Sequence, residues 1–234
     1  MTEPSDAVVF RLGYVPGVTP DKWARKWAER RPHVRLELLA ASTDEAVELI
    51  RTGAVDAAVL RLPIDRTGLH VIPLYTETSV AVVPKDHLLT ATGEATLAEL
   101  ADETVLRPHG DTLAWPGDRP GRPAAFAPAT TAEAIELVAA GVGLLVVPQS
   151  LARLHQRRDL TYRPLADAPG SGVGLAWPDA KNTELMEEFI GIVRGRTVNS
   201  SRTPRRDPPP QAPAPAPAKK RVDRRPPRRG TRRR

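Results

Sequence analysis

Residues 130–149 read TTAEAIELVAAGVGLLVVPQ, and the rest of the chain is organised around them. Thr130 or Thr131 stands where a helix needs an N-cap, with Glu133 close enough to act as the capping-box acid. Ala134, Leu137 and Val138 fall at i, i+3 and i+4, the spacing that lines one helical face. Gly141 sits where a helix stops on a left-handed residue, and Gly143 opens the return. Residues 144–147 then form a short buried strand closed by Pro148. The helix start places hydroxyls beside backbone N–H groups that have no intrahelical partner, an arrangement that attracts carboxylates and other anions. The same hydroxyls serve a core helix as plain caps, so the fragment alone leaves both readings open.

Upstream, residues 10–15 (FRLGYV) alternate as a strand, followed by a loop at 16–20 and a helix over 21–31. Trp23 and Trp27 are four apart and share a face, as core or dimer packing requires. A second strand covers 34–40, and a helix capped by Ser42 or Thr43 runs to Thr52 and ends at Gly53. Residues 55–60 are nearly continuously apolar, the pattern of a parallel strand covered on both faces. This β-α-β-α-β order indicates a doubly wound α/β unit. Further strands are expected at 69–75, 79–84, 104–106, 122–127, 160–163 and 172–177. Short helices are expected at 96–100 and 150–156, an irregular segment at 109–123 and a last helix over 182–193. The second unit, 84–162, is enclosed by the first, which resumes near Val173. The fold class expected is α/β, with two Rossmann-like lobes joined by two crossover strands. Lobe I takes 8–83 and 163–196, lobe II takes 84–162, and 197–234 form a disordered tail. Ligands of such sheets bind beyond the carboxyl ends of the strands, here in the cleft between lobes.

The net charge of +6 over 234 residues hides a division. Residues 202–234 carry 13 Lys/Arg against 2 Asp, a net +11, which leaves the first 201 residues at −5. Zero cysteines exclude disulfides, thiolate metal sites and a cysteine nucleophile. No apolar run is long enough to cross a membrane, and the N-terminus has no signal-peptide pattern, so the cytoplasm is the expected location. Enzyme motifs are missing: there is no G-x-S-x-G and no H-E-x-x-H, and His33, His70, His87, His109 and His155 lack ligand spacing. The G-x-G at 141–143 follows a helix and enters a strand, the reverse of a dinucleotide fingerprint. The chain is expected not to be an enzyme and to hold neither metal nor cofactor.

Six pieces, in order, carry a resemblance: RLGYVPG (11–17), RPHVRLEL (31–38), AVELIRTGAVDAAVLR (46–61), PLYTETSVAVVPKDHLL (73–89), TLAELADETVL (96–106) and ELVAAGVGLLVVPQS (136–150). Residues 8–195 resemble the effector-binding domain of LysR-type transcriptional regulators, which has the type 2 periplasmic-binding-protein fold. Regulators of this family carry a helix-turn-helix ahead of that domain, whereas seven residues precede the first strand here. The expectation is therefore a sensor domain without a DNA-reading helix of its own.

The resemblance implies a small-molecule effector, commonly a small carboxylate or aromatic acid, and side-by-side association of such domains. By position it implies contacts from Val18 and Thr19, from Ser42, Thr43 and Arg61, from Pro108 and His109, and from Thr130 and Thr131. Hydroxyls and helix starts donate hydrogen bonds, and Arg61 offers a bidentate clamp for a carboxylate. Plain alternatives stand beside each: Thr43 as a cap, Arg61 as a solvated strand end or partner of Asp65, His109 as an exposed loop residue. Trp115 either closes the cleft or anchors a loop.

The tail has nine Pro and no aromatic residue, too little apolar surface to offset chain entropy. Its cations Lys219, Lys220, Arg221, Arg224, Arg225, Arg228, Arg229, Arg232, Arg233 and Arg234 suit sequence-independent contact with phosphates. The leading expectation is a ligand sensor in transcriptional regulation, working as a homodimer or as a heterodimer with a full-length regulator. The competing one is a ligand-free dimerisation adaptor or nucleoid-associated protein acting through its tail.

Overall fold

The computed structural model describes residues 8–196, except 112 and 182. The ten tail cations named above lie outside the described residues.

The chain first lays down β1 (Val9–Tyr14), α1 (Asp21–Arg30), β2 (Arg35–Ala40), α2 (Thr43–Thr52), β3 (Ala57–Leu62) and β4 (Leu69–Glu77). A second sheet follows from β5 (Ser79–Pro84), β6 (Thr104–Leu106), β7 (Arg122–Pro123), α3 (Thr131–Ala139), β8 (Leu144–Pro148), α4 (Gln149–Leu154) and β9 (Leu160–Pro164). β10 (Ser171–Pro178) and α5 (Glu184–Val193) return to the first. The sheet orders are β2-β1-β3-β10-β4 and β7-β6-β8-β5-β9. The two-lobed α/β architecture is thus present. β3 is parallel to β1 but antiparallel to β10, so the first sheet is mixed rather than wholly parallel. Strand apolarity reports burial on both faces, which any central strand has, and not the direction of its neighbour.

The lobe boundaries differ from those expected at 83/84 and 162/163. β5 and β9 both belong to the second sheet, so the chain crosses between Glu77 and Ser79 and returns between Pro164 and Ser171. The crossings lie side by side: Ser171 pairs with Glu77, the Leu165 N–H donates to the Ser79 carbonyl, and the Ser79 hydroxyl donates to the Pro169 carbonyl at 2.6 Å. Periodicity could not show this, because it locates the strands at 69–75 and 79–84 without telling which sheet each one joins.

In lobe I, α1 and α5 bury an aromatic trio against β1. The ring of Phe10 lies 4.8 Å from that of Trp27 and 5.2 Å from that of Phe189. Trp27 is fully buried and its indole N–H donates to the Val34 carbonyl at 2.9 Å. Trp23, on the same face, is only partly buried against that core. In lobe II, α3 closes the core formed by Val80, Leu106, Leu145 and Val147 on one face of the sheet. Gly141 ends α3 at φ +73°, the left-handed stop. Gly143 is required for a different reason: a Cβ there would stand 2.5 Å from the Thr104 carbonyl oxygen, where β6 meets β8. Backbone in a paired strand cannot retreat, so Gly143→Ala is expected to lower stability by roughly 1–3 kcal/mol in urea denaturation.

Candidate ligand site between the lobes

Parallel pairing gathers the carboxyl ends of β1, β2 and β3 at one edge and those of β6 and β8 at another, and both edges lie by the crossings, since Leu62 pairs with Gly172 and Pro148 with Ser79. Of the helices that start at these ends, α2 in lobe I and α3 in lobe II have starts built alike. In lobe I the Ser42 hydroxyl accepts from the Glu45 N–H at 3.3 Å, while the Glu45 carboxylate accepts from the Ser42 N–H at 2.8 Å. The Ser42 N–H, with the Ser42 hydroxyl second to it, holds the Glu45 carboxyl below its usual range. In lobe II the Thr130 hydroxyl accepts from the Glu133 N–H at 3.1 Å, and the Glu133 carboxylate accepts from the Ala129 N–H at 2.7 Å. Capping therefore engages Ser42 and Thr130. It leaves the residues that open the helices proper, Thr43 and Thr131. The Thr43 hydroxyl is shielded from solvent and has no hydrogen-bond partner. Thr131 is half-buried at the matching place in α3.

Arg61 is not a solvated strand end, and its partner is not Asp65, which pairs with Arg51 at 2.6 Å. It lies inside β3 opposite Val173, only 3% exposed. One terminal nitrogen donates to Glu77 (3.0 Å) and to the Ser171 hydroxyl (3.1 Å). The other donates to the Pro16 carbonyl (3.2 Å) and to the Ser150 hydroxyl (3.0 Å). Ser150 in turn donates to Glu77 at 2.7 Å. Ser150 belongs to α4 of lobe II and the others to lobe I, so this buried group is a clasp across the lobes. Gly17, at φ +87°, completes it, since a Cβ there would stand 2.5 Å from the Ser150 hydroxyl oxygen. The clasp occupies the hinge side of the crevice with the protein's own side chains. A guanidinium already facing a carboxylate has little left to offer a ligand's carboxylate, so the geometry gives Arg61 the part of a strut.

The other anticipated residues separate. Val18 and Pro108 are buried, the first through an N–H bond to the Val15 carbonyl, and Thr19 and His109 are exposed. The His109 N–H holds the Pro128 carbonyl at 2.9 Å, which ties the end of β6 to the approach of α3. Trp115 anchors its loop: its indole N–H donates to Asp111 at 3.3 Å, and Asp111 also pairs with Arg119 at 3.2 Å. Residues that the sequence reading missed are Glu77, Ser150 and Arg107. Arg107 follows β6 and donates to the Gly121 carbonyl at 3.3 Å, while its Nε is buried without a partner. No local pattern marks these three. Glu77 and Ser150 meet only because the crossings bring positions 73 residues apart together.

Among the described residues no cluster of His, Cys, Asp or Glu could hold a metal ion, and no helix is long and apolar enough to cross a membrane. Residues 9–197 match the family model described as the LysR substrate binding domain. The chain is 27% identical to a probable hydrogen peroxide-inducible genes activator of Mycobacterium avium, over 82% of this chain and 66% of that protein. It is 31% identical to the transcriptional regulator AlsR of Bacillus subtilis (72% and 59% covered) and 35% identical to CatR of Pseudomonas putida (67% and 57% covered). The chain thus spans about two thirds or less of the length of these relatives. Among solved structures, the BenM effector binding domain with its effector benzoate is similar at a TM-score of 0.69 and 22% identity, covering 82% of this chain and 92% of that one. Oxidised OxyR is similar at a TM-score of 0.66 and 19% identity, covering 80% and 93%. These relatives are transcriptional regulators, not enzymes. With the matched model spanning both lobes, this chain belongs to the LysR substrate-binding domain family.

Proposed function

We propose that the crevice receives a small carboxylate and that the domain acts as a sensor in transcriptional regulation. The observation that carries this reading is the shielded Thr43 hydroxyl. A buried hydroxyl without a partner costs about 1–3 kcal/mol, and a ligand acceptor removes that cost. Thr131 opens α3 at the matching place in lobe II, and the two helix starts add N–H groups that favour an anion. Ser42 and Thr130 set the caps, while Val18, Thr19, Pro108 and His109 frame the strand ends around them. Binding closes the lobes about the paired crossings and shifts the population between two arrangements. BenM, whose domain binds benzoate, makes small aromatic acids the first class to try.

The decisive variant is Thr43→Val. Without ligand it is expected to be as stable as the wild type, or up to about 1 kcal/mol more stable, because an unpaired polar group is gone. The melting-temperature rise given by benzoate or a related acid at saturating concentration is expected to fall to less than half. A clear loss of stability without ligand would make Thr43 a structural hydroxyl and count against the reading. The same would follow if no small carboxylate shifts the melting temperature of the wild type.

The basic tail enters this proposal through composition alone. Its +11 charge suits non-specific attachment to nucleic acid in the cytoplasm, beside a second copy or a full-length regulator. Removing residues 202–234 is expected to abolish salt-sensitive DNA binding and to leave the ligand response intact.

A further inference from the structure

Lobe II carries a cavity at the end away from the crossings. β5 leaves the crossing at Ser79 and reaches Pro84, five residue steps later. At about 3.3 Å per step, that end lies about 16 Å from the crossing. There Pro84 pairs with Leu160, the Lys85 N–H donates to the Asp159 carbonyl, and residues 155–159 fold over the ends of both strands. The cavity between them measures about 440 Å³, within the range of small-molecule sites. Val82, Leu160 and Tyr162 line it on the strand side, while Lys85, Arg157 and Arg158 supply the charge.

The three cations are not equivalent. Arg157 is engaged by Asp159 at 3.0 and 3.2 Å and by Glu136. Lys85 and Arg158 take part in no ion pair among the described residues. Cations near the end of α4 also complement a helix C-terminus. That helix has only six residues, however, and its dipole calls for neither an apolar wall nor a cavity. Lys85, which also feels the Asp159 carboxylate, and Arg158 stand above an apolar wall and a phenol that accepts from Arg153, a set that suits a doubly charged group attached to a flat body. A lone carboxylate would answer only one of the two cations.

We propose that this corner of lobe II is a second ligand site, for a small phosphorylated molecule of nucleotide size. Lys85 and Arg158 hold the phosphate, and Tyr162 and Leu160 receive the body. α4 connects this site to the clasp: its first turn carries Ser150, and the residues after its last turn form the cavity roof. Occupancy therefore bears on the hinge, a consequence that rests on the crevice reading, whereas the site itself does not.

The test is a titration of the full chain with 5′-AMP at physiological salt, followed by amide NMR, with adenosine as the uncharged control. The expected result is saturable shifts at Lys85 and at residues 158–162 with AMP and none with adenosine. Lys85→Ala/Arg158→Ala, two exposed positions, is expected to weaken binding at least tenfold. Thr43→Val is expected to leave it unchanged, which separates this site from the crevice. The proposal is overturned if AMP shifts only tail residues or leaves the wild type unmoved. Equal binding by the double variant overturns it as well. So does equal binding of inorganic phosphate, which would reduce the corner to screened surface charge.

Discussion

Glu77→Ala is expected to lower the stability of the domain by about 3–5 kcal/mol, the usual loss when one partner of a buried ion pair is removed. The Arg61 side chain is 3% exposed and that of Glu77 is 11% exposed, so water cannot take over from the lost carboxylate. The Ser150 hydroxyl loses its acceptor at the same stroke, which loosens lobe II against lobe I. Urea denaturation of the variant reads the loss directly. The double variant Arg61→Met/Glu77→Leu is expected to recover most of it, because an apolar pair of similar volume removes both charges together. That double variant then shows what the clasp does besides stabilise. If the clasp sets the angle between the lobes, the double variant folds but binds crevice ligands differently. A single-variant loss below about 1 kcal/mol would mean that Arg61 finds another counter-charge, and the clasp would lose its place in the account.

Trp27→Ala is expected to cost about 3–5 kcal/mol, with a fall in melting temperature on the order of 10 °C. The indole stands between Phe10 and Phe189, with ring centroids at 4.8 and 5.8 Å, and it also satisfies the Val34 carbonyl. Truncation leaves a cavity among three elements and an unpaired carbonyl at the start of β2. Trp23→Ala, on the same helical face but only partly buried, is expected to cost less than half as much. Equal losses at the two positions would show that the face is buried in an assembly of chains rather than against this core alone.

The helix-and-strand alternation was readable because one buried face imposes a short-range period. Thr130, Glu133 and Gly141 marked the ends of α3, and the structure has the Thr130 cap and the Gly141 stop there. Ser42 and Gly53 did the same for α2. Arg61 was read as standing at the tip of its strand. Its actual place, one residue inside β3 and opposite Val173, depends on β10, which lies more than a hundred residues downstream. Thr43 and Thr131 were picked out together with Ser42 and Thr130. Which hydroxyl of each pair caps and which stays free is a matter of side-chain geometry that residue type does not carry.

By itself, then, the order of residues determined the α/β class, the two-lobed division, the starts of α2 and α3 to within one residue and the family, all of which follow from local periods and motif order. Only the tertiary structure decided where the chain changes sheets, that Arg61, Glu77 and Ser150 join across the lobes, and that Lys85 and Arg158 share a cavity with Tyr162. The reason is physical: hydrophobic periodicity records which face of an element is covered. The meeting of polar groups far apart in the chain depends on strand order and register, which no single element contains.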